Sequence, residues 1–219
     1  MFTLFVVVVA AAVFVMYVRN ERQRPSRLRE APARPISELA EDTPGRVVGI
    51  TQNPGEPLTA PLSGRPCVYY AVRVERLRTP DAAAELAATT AAAASWVVIA
   101  SETRFVSFLI QDETGRALIE PTAAKVELSG AEVPVELGPA ELTPRHREFL
   151  ARHQVAEPSA RLRCSEAVIA IGEAIAVVGS GIREPDPDAA PVDHYRGDPP
   201  TRLRLTSSPK HPLFISNDW

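Results

Sequence analysis

Residues 105–121 read FVSFLIQDETGRALIEP, and this stretch points to the fold class. At its centre, Asp112-Glu113-Thr114-Gly115 separates two apolar runs, which is the pattern of a β-hairpin. We expect Gly115 to take a turn position with positive φ, where a residue without a Cβ atom fits best. We expect Asp112 to bond the turn backbone, a commoner role than pairing with Glu113 as two catalytic carboxylates.

A second strong strand signal lies at residues 67–75. Val68, Tyr70, Val72 and Val74 fall on one predicted face and the intervening residues on the other, which is the period of a half-buried strand. Weaker strand patterns lie at residues 45–51, 96–100, 126–128, 133–137, 162–169, 175–178, 202–205 and 213–216.

Two further features complete the predicted domain. Gly172 separates two of the weaker strands and predicts a second hairpin, which a turn at residues 179–181 ends. Thr143-Pro144 offers an N-cap and a first-turn proline for one helix through about His153. Phe149 and Leu150 of this helix are expected to face the core. The sum is a mostly β fold, a small barrel or sandwich of about eight short strands with one helix.

The N-terminal stretch predicts a membrane anchor that precedes this domain. Residues 2–18 read FTLFVVVVAAAVFVMYV without a charge and span about 25 Å as a helix, close to a bilayer core. A cleaved signal peptide is disfavoured because no Lys or Arg precedes the run and no small-residue cleavage site follows it. A buried core helix is disfavoured because the run is apolar all round. The anchor is therefore assigned to residues 1–18.

Charge is distributed unevenly along the rest of the chain. Residues 19–35 carry six arginines and two glutamates, so the net charge of this segment is +4. Because the net charge of the whole chain is -3, the rest of the chain carries a net charge of -7. The arginines favour contact with anionic lipid and place the domain in the cytoplasm, with the N-terminus outside. We assign residues 19–44 to a basic, proline-containing tether and residues 45–219 to the domain. An acidic domain is a poor ligand for nucleic acid.

Motifs that carry chemistry are scarce in this sequence. Cys67 and Cys164 are expected to be buried free thiols, although one bridge between them stays an alternative. His146 and His153 are seven residues apart and are expected to be solvated surface histidines. Residues 179–181 lack the third glycine of a nucleotide-binding loop. The sequence thus predicts no catalytic residue, no cofactor and no metal site.

Several short motifs, taken in order, are similar to those of one family. The stretch PLSGRPCVYY at residues 61–70 and the Asp-x-Thr-Gly hairpin carry most of this likeness, which covers roughly residues 45–216. The chain resembles the GIDE domain, also called "beside a membrane", of Mulan-type mitochondrial ubiquitin ligases and many prokaryotic membrane proteins. The positions that match the family are Pro66, Cys67, Tyr69, Tyr70, Trp96, Phe108, Asp112, Thr114, Gly115, Pro121, Glu166, Gly172 and Gly179.

The resemblance implies a structural role for these residues and does not by itself imply ligase chemistry. A RING needs about eight Cys and His ligands, whereas this chain has two cysteines and four histidines. We therefore expect a membrane-anchored, non-catalytic binding or scaffold module with an unknown protein partner. The first alternative is a ubiquitin-ligase-like protein whose partner supplies the RING. The second is a small β-barrel that binds nucleic acid or oligosaccharide.

Overall fold

The computed structural model describes residues 32–52, 55–78, 95–129, 133–155, 161–189, 200–207 and 212–217. Within these ranges the chain forms thirteen strands and one α-helix, so the mostly β prediction with one helix is confirmed, whereas the predicted number of about eight strands is too low. The strands are β1 Gly45–Gln52, β2 Leu58–Thr59, β3 Pro66–Arg78, β4 Ser95–Phe105, β5 Phe108–Gln111, β6 Arg116–Glu120, β7 Lys125–Glu127, β8 Val135–Leu137, β9 Leu162–Ala170, β10 Ala174–Gly179, β11 Gly181–Pro185, β12 Thr201–Thr206 and β13 Phe214–Ser216.

The strands belong to two open sheets. The larger sheet has the order β11-β12-β6-β5-β1-β10-β13-β7, and among the described strands β12 pairs in parallel with β6 and β13 pairs in parallel with β7. The smaller sheet has the order β2-β3-β9-β8, and β4 also pairs with β3. Of the two predicted forms, barrel or sandwich, the barrel is wrong, because in the part of the chain that the structure describes β7 and β11 end the larger sheet without pairing to each other.

The predicted hairpin around Asp112 is confirmed as β5 and β6, with Phe108 opposite Ile119. The prediction for Gly115 is wrong, because positive φ among the described glycines occurs at Gly64 and Gly172. The turn is held instead by the Asp112 carboxylate, which accepts hydrogen bonds from the turn backbone. A side chain that bonds its own turn removes the need for a left-handed residue there.

The predicted second hairpin is wrong, because β9 and β10 belong to different sheets. β9 pairs with β3 and β8, whereas β10 pairs with β1 and β13. The link between them crosses Thr51 of β1, whose Oγ1 donates to the carbonyl of Ala170 at 2.7 Å and accepts from the N–H of Glu173 at 2.9 Å. Gly172, with φ +84°, makes the change of direction possible and donates its N–H to the carbonyl of Thr51.

Strand β3 contributes to two cores, one on each of its faces. A register irregularity between Cys67 and Tyr69 turns Val68 away from the face that sequence alternation gave it. Val68 and Tyr69 therefore enter core one, while Cys67 and Tyr70 enter core two. An extra residue of this kind shifts the side-chain alternation of the rest of the strand.

Core one lies between the two sheets, and core two lies between the smaller sheet and the helix. Core one comprises Ile36, Leu39, Val47, Val68, Tyr69, Phe108, Ile110, Ala117, Ile119, Ile169, Ile175, Val177, Leu203, Leu205, Leu213 and Ile215. Core two comprises Ala60, Cys67, Tyr70, Val72, Val74, Ala100, Leu142, Phe149, Leu150, Leu162 and Cys164.

The helix α1, Pro144–Arg152, is confirmed with the predicted cap. The Thr143 side chain accepts a hydrogen bond from the N–H of His146, and Pro144 takes the first position, where its missing donor costs nothing. Phe149 and Leu150 are buried, as the sequence predicts. The helix thus closes core two over the smaller sheet.

The C-terminal part of the predicted tether is packed into the domain. Residues Ile36–Glu38 form a short 3-10 helix, and Ile36 and Leu39 are fully buried in core one. The guanidinium of Arg183 donates to the carbonyls of Ile36 and Ser37 at 2.9 and 2.8 Å. Among the described residues, no helix is long and apolar enough to cross a membrane, and the anchor predicted at residues 2–18 lies outside them.

Candidate functional site

A groove of about 430 Å³ opens on the outer face of the larger sheet, next to its β7 edge. Ala176, Val178 and Phe214 contribute apolar atoms, and their strand neighbours Val177 and Ile215 point the other way into core one. The remaining lining residues are Arg46, Val126, Glu127, Leu128, Ser129, Ile215 and Ser216. Alternation along β10 and β13 therefore supplies the apolar floor of a groove of mixed polarity and part of a core from the same two strands.

A second, more polar hollow of about 600 Å³ adjoins the groove. Ser129 lines both concavities. The N–H of Ser129 donates to Asn217 Oδ1 at 2.7 Å, and Asn217 Nδ2 donates to the carbonyl of Ser129 at 3.3 Å. The rest of the hollow is lined by Ser63, Arg65, Glu166, Val168, Ala170, Ile171, Gly172 and Glu173. The reciprocal Ser129–Asn217 pair fixes the segment after β7 at the point where the two concavities meet.

The family-like residues of the β5–β6 hairpin hold the segment that leads to the predicted anchor. Asp112 accepts hydrogen bonds from the N–H of Ile36 at 2.8 Å and from the N–H and hydroxyl of Thr114 at 2.7 Å each. Thr114 in turn accepts from the N–H of Ser37 at 3.1 Å. Burial alone would raise the pKa of Asp112, but the bonds from Ile36, Thr114 and Gly115 outweigh it and lower the pKa. Asp112 is thus a structural carboxylate.

Glu166 performs a similar task for the loop before β3. Its two carboxylate oxygens accept the N–H groups of Leu62 at 2.7 Å and Ser63 at 3.0 Å. This carboxylate therefore closes the Leu-Ser-Gly part of the PLSGRPCVYY stretch onto β9. Like Asp112, Glu166 satisfies backbone donors, which is a common use of carboxylates in loops.

The remaining family-like positions lie apart from one another. Pro66 begins β3, and Trp96 of β4 stacks under the guanidinium of Arg163, 4.1 Å from its ring centroid. Phe108 is buried in core one, and Pro121 is buried just after β6. Gly179 ends β10, where an added Cβ would overlap Leu213. These five positions stabilise the fold and do not meet at one site. Two other family-like residues, Glu166 and Gly172, line the polar hollow.

A Tyr–Glu–His arrangement lies at the margin of core two. The Tyr70 hydroxyl donates to Glu102 Oε1, and Glu102 Oε2 lies 3.0 Å from His153 Nε2 and 3.8 Å from Arg152. Burial opposes ionisation of Glu102, but the bonds from Tyr70 and His153 and the charge of Arg152 outweigh it and lower its pKa. Burial and the bond to Glu102 raise the pKa of Tyr70 to about 12, so its hydroxyl stays protonated.

Sequence reasoning missed this arrangement and assigned His153 to the solvated surface, which is wrong. His153 is half-buried, and its ring centroid lies 4.5 Å from that of Phe149. Glu102 and His153 are 51 residues apart, so no spacing rule connects them. One signal was present, because residues 102 and 104 carry opposite charges on one face of a strand beside an apolar run.

The two thiols are buried and free, as the sequence predicts. Burial raises the pKa of Cys67 to about 11, with the charge of Glu166 adding to the effect. Burial also raises the pKa of Cys164 to about 11. A thiol that stays protonated is a poor nucleophile and a poor metal ligand. Over the described ranges, no cluster of three or more His, Cys, Asp and Glu side chains is suited to a metal ion.

Comparison with known proteins adds no relative to this picture: no protein-family model, no curated protein and no solved structure matches the chain. The site is therefore defined by its geometry alone, as a groove with an apolar floor, an adjoining polar hollow and the β7 strand that ends the larger sheet in the part of the chain that the structure describes.

Proposed function

We propose that this chain is a membrane-anchored, non-catalytic binding module, similar to the GIDE domain, that holds an extended segment of a partner protein. The observation that carries the proposal is the groove beside strand β7. A side chain of the partner enters the groove, and the partner backbone lies along the β7 edge. This is the arrangement of β-strand addition, in which the backbone supplies affinity and the groove supplies selectivity.

The β7 edge supports this mode of binding. In the part of the chain that the structure describes, β7 has one strand neighbour, β13, and pairs with it in parallel. The N–H of Lys125 donates to the carbonyl of Leu213, so by alternation Val126 is the residue of β7 that directs its N–H and C=O outward, where a strand of another chain can pair with them. The strand is only three residues long, so the groove must contribute much of the binding energy.

The composition of the groove selects an apolar side chain with a polar flank. Its volume of about 430 Å³ lies within the range of about 300–1,000 Å³ that is usual for ligand sites. The ammonium of Lys125 lies 5.3 Å from the centroid of the Phe214 ring, a cation–π contact at the rim. Among the described residues of the lining, Phe214 is the one aromatic residue, which disfavours oligosaccharide and nucleic acid, since both are held by stacked aromatic rings.

The state of the thiols supports a binding role over a ligase role. A thioester-forming ligase needs an exposed, activated cysteine, whereas Cys67 and Cys164 are both buried and have pKa values of about 11. The full chain is expected to bind no stoichiometric zinc and to give no ubiquitin conjugates with carrier enzymes supplied. Zinc at two ions per chain, or conjugation abolished by Cys67→Ala or Cys164→Ala, would favour the ligase-like alternative.

Anchoring by residues 2–18 is the membrane part of the proposal. Deletion of residues 1–20 is expected to move the protein from the carbonate-resistant membrane fraction to the soluble fraction. A reporter fused after residue 219 is expected to lie in the cytoplasm. If the deleted chain still resists carbonate extraction, or the reporter is found outside, the anchor or its orientation is wrong.

Groove binding is tested with the full chain in lipid nanodiscs and a displayed library of extended peptides. Selected peptides are expected to carry a large apolar residue and to bind with micromolar affinity, measured by fluorescence anisotropy. Ser129→Trp fills the groove and is expected to weaken binding at least tenfold. Ser107→Trp, on an exposed link between β4 and β5, is the matched control. Equal affinity of the two variants would exclude the groove as the binding site.

A further inference from the structure

Strand β4 belongs to the smaller sheet, whereas the groove strands belong to the larger one. It is 11 residues long and, within the described ranges, has β3 as its one strand neighbour. Val97, Val98 and Phe105 are 40%, 44% and 42% exposed, and they are three of the eight exposed large apolar side chains among the described residues. Long apolar edges of this kind pair readily with another strand unless something covers them.

The hydrogen-bond phase of β4 shows which of its backbone groups point outward. The N–H of Val106 donates to the carbonyl of Val68 in β3 at 3.0 Å. Arg104 lies opposite Tyr70, and Glu102 lies opposite Val72, in the same register. Since successive residues of a strand direct their N–H and C=O groups to alternate sides, residues 101, 103 and 105 direct theirs away from β3.

We propose that β4 pairs antiparallel with β4 of a second copy of this chain, centred on Thr103. In this register Thr103 faces Thr103 of the second copy, and Ser101 faces Phe105. These facing pairs, at residues 101, 103 and 105, consist of residues whose N–H and C=O groups already point outward, and each of them can exchange two hydrogen bonds. Pairing also covers Phe105, which is exposed in the single chain.

Charge complementarity favours a second copy over an unrelated strand. Glu102 and Arg104 flank Thr103 and lie on the same face of β4. The two-fold axis therefore places Glu102 opposite Arg104 of the second copy, and Arg104 opposite Glu102 of the second copy. Two opposite-charge cross-strand pairs result from one symmetry operation. The contact of His153 Nε2 with Glu102 Oε2 at 3.0 Å fixes the position of this carboxylate.

The other edge of the same sheet gives a reason for closed pairing. Strand β8 has only three residues, so head-to-tail addition of β4 to β8 would form a short ladder. Pairing of β4 with itself forms a longer ladder and a closed dimer, whereas head-to-tail pairing leaves a free edge for further addition.

A cysteine at the two-fold axis tests the proposal directly. Thr103→Cys in the full chain in detergent micelles is expected to form a disulfide-linked dimer under mild oxidation, because facing residues of this type have Cα atoms about 5.5 Å apart. The native thiols do not interfere, since both are buried. Val135→Cys, on the exposed β8 edge, is the matched control and is expected to stay monomeric on a non-reducing gel.

A second pair of variants tests the ladder and the charges. Thr103→Pro removes an outward N–H and keeps the β3 ladder, so light scattering is expected to give half the wild-type polypeptide mass with an unchanged circular dichroism spectrum. Arg104→Glu places like charges opposite each other and is expected to weaken the dimer at least tenfold. A wild-type mass of one chain, cross-linking through Val135→Cys instead of Thr103→Cys, or a dimer that survives Thr103→Pro would each overturn the proposal.

Discussion

Core one and core two are both well buried, but they differ in the chemistry of the side chains that they contain. Core one is made of apolar side chains from both sheets, with Tyr69 as its one residue bearing an ionisable group. Core two contains both thiols and Tyr70, with Glu102 and His153 at its margin. The strands of the proposed binding groove also build core one. The difference indicates that the binding surface rests on the core whose interior contains fewer ionisable side chains.

The largest expected effect comes from a truncation in core one. Phe108 is fully buried between the sheets, and Phe108→Ala is expected to lower the free energy of unfolding by about 3–5 kcal/mol. Denaturant titration of the full chain in detergent measures the change. The loss is expected to be the same at pH 5 and pH 8, and a loss below about 1 kcal/mol would mean that core one packs differently.

Removal of the charge of Glu102 tests how much the charged side chains at the margin of core two stabilise the fold. Glu102→Gln keeps the shape but weakens the contacts with His153 and Arg152, and it is expected to cost about 1–3 kcal/mol of unfolding free energy. Because the fold lowers the pKa of Glu102, the ionised carboxylate stabilises the folded state above the ordinary pKa of 4.5. This stabilisation is lost as the pH falls through the lowered pKa of the folded state.

The control for this prediction is an exposed ion pair of the same sheet. Glu136 contacts Arg163 at 2.8 Å, its side chain is 43% exposed, and Glu136→Gln is expected to cost less than about 1 kcal/mol. Both variants are measured by thermal and denaturant unfolding from pH 3 to pH 8. Equal effects of the two substitutions would remove the distinction between the network of Glu102 and an ordinary surface pair.

The two thiols of core two allow the difference between the cores to be tested at alkaline pH. Burial raises the pKa of Cys67 and Cys164 to about 11, so the fold favours the protonated forms. Their contribution to stability is full below the ordinary thiol pKa of 9.0 and is lost as pH rises through about 11. Alkaline unfolding of the double variant Cys67→Ala and Cys164→Ala, compared with wild type, measures it.

Thiol reactivity gives an independent check of this prediction. An aromatic disulfide reagent is expected to label neither cysteine of the folded chain at pH 8 and both after unfolding. Rapid labelling of the native protein at either position would contradict the assigned burial and the raised pKa values.

The smallest expected effects distinguish two turn glycines. Gly115 has no positive φ, and an added Cβ would lie 3.7 Å from a methyl group of Ile36, so Gly115→Ala is expected to change stability by less than about 0.5 kcal/mol. Gly172 has φ +84°, and Gly172→Ala is expected to cost about 1–2 kcal/mol even though the space around it is open. Melting temperatures of the two variants measure the difference, and the reverse order would contradict the assigned backbone.

Local pattern predicted the elements of this fold better than their partners. The β5–β6 hairpin and the capped helix followed from neighbouring residues, because a turn and an N-cap are set within a few positions. The separation of β9 from β10 did not follow, because it depends on Thr51, which is 119 residues from Ala170. Ile36 and Leu39 were placed in a tether for a related reason, since their burial depends on Arg183 and the distant β5–β6 turn.

The candidate site could not be predicted from the sequence. The groove residues come from β1, β7, β10 and β13, and none of these strands carries a motif that distinguishes a groove from a core. The family-like motifs gave another kind of information, because Asp112 and Glu166 hold loops in place by satisfying backbone N–H groups. The motif residues thus indicate how the loops of the fold are stabilised, whereas the groove could be recognised only once the order of the strands was known.

Site-specific photo-cross-linking in native membranes tests the central claim most directly. A photoreactive benzoylphenylalanine replaces Lys125 at the exposed rim of the groove in one full-length variant and Ser107, outside it, in another. The account predicts a discrete protein adduct from position 125 that an excess of a selected groove peptide removes, and no such adduct from position 107. An adduct from position 107 that the peptide does not remove, with none from position 125, would contradict the account.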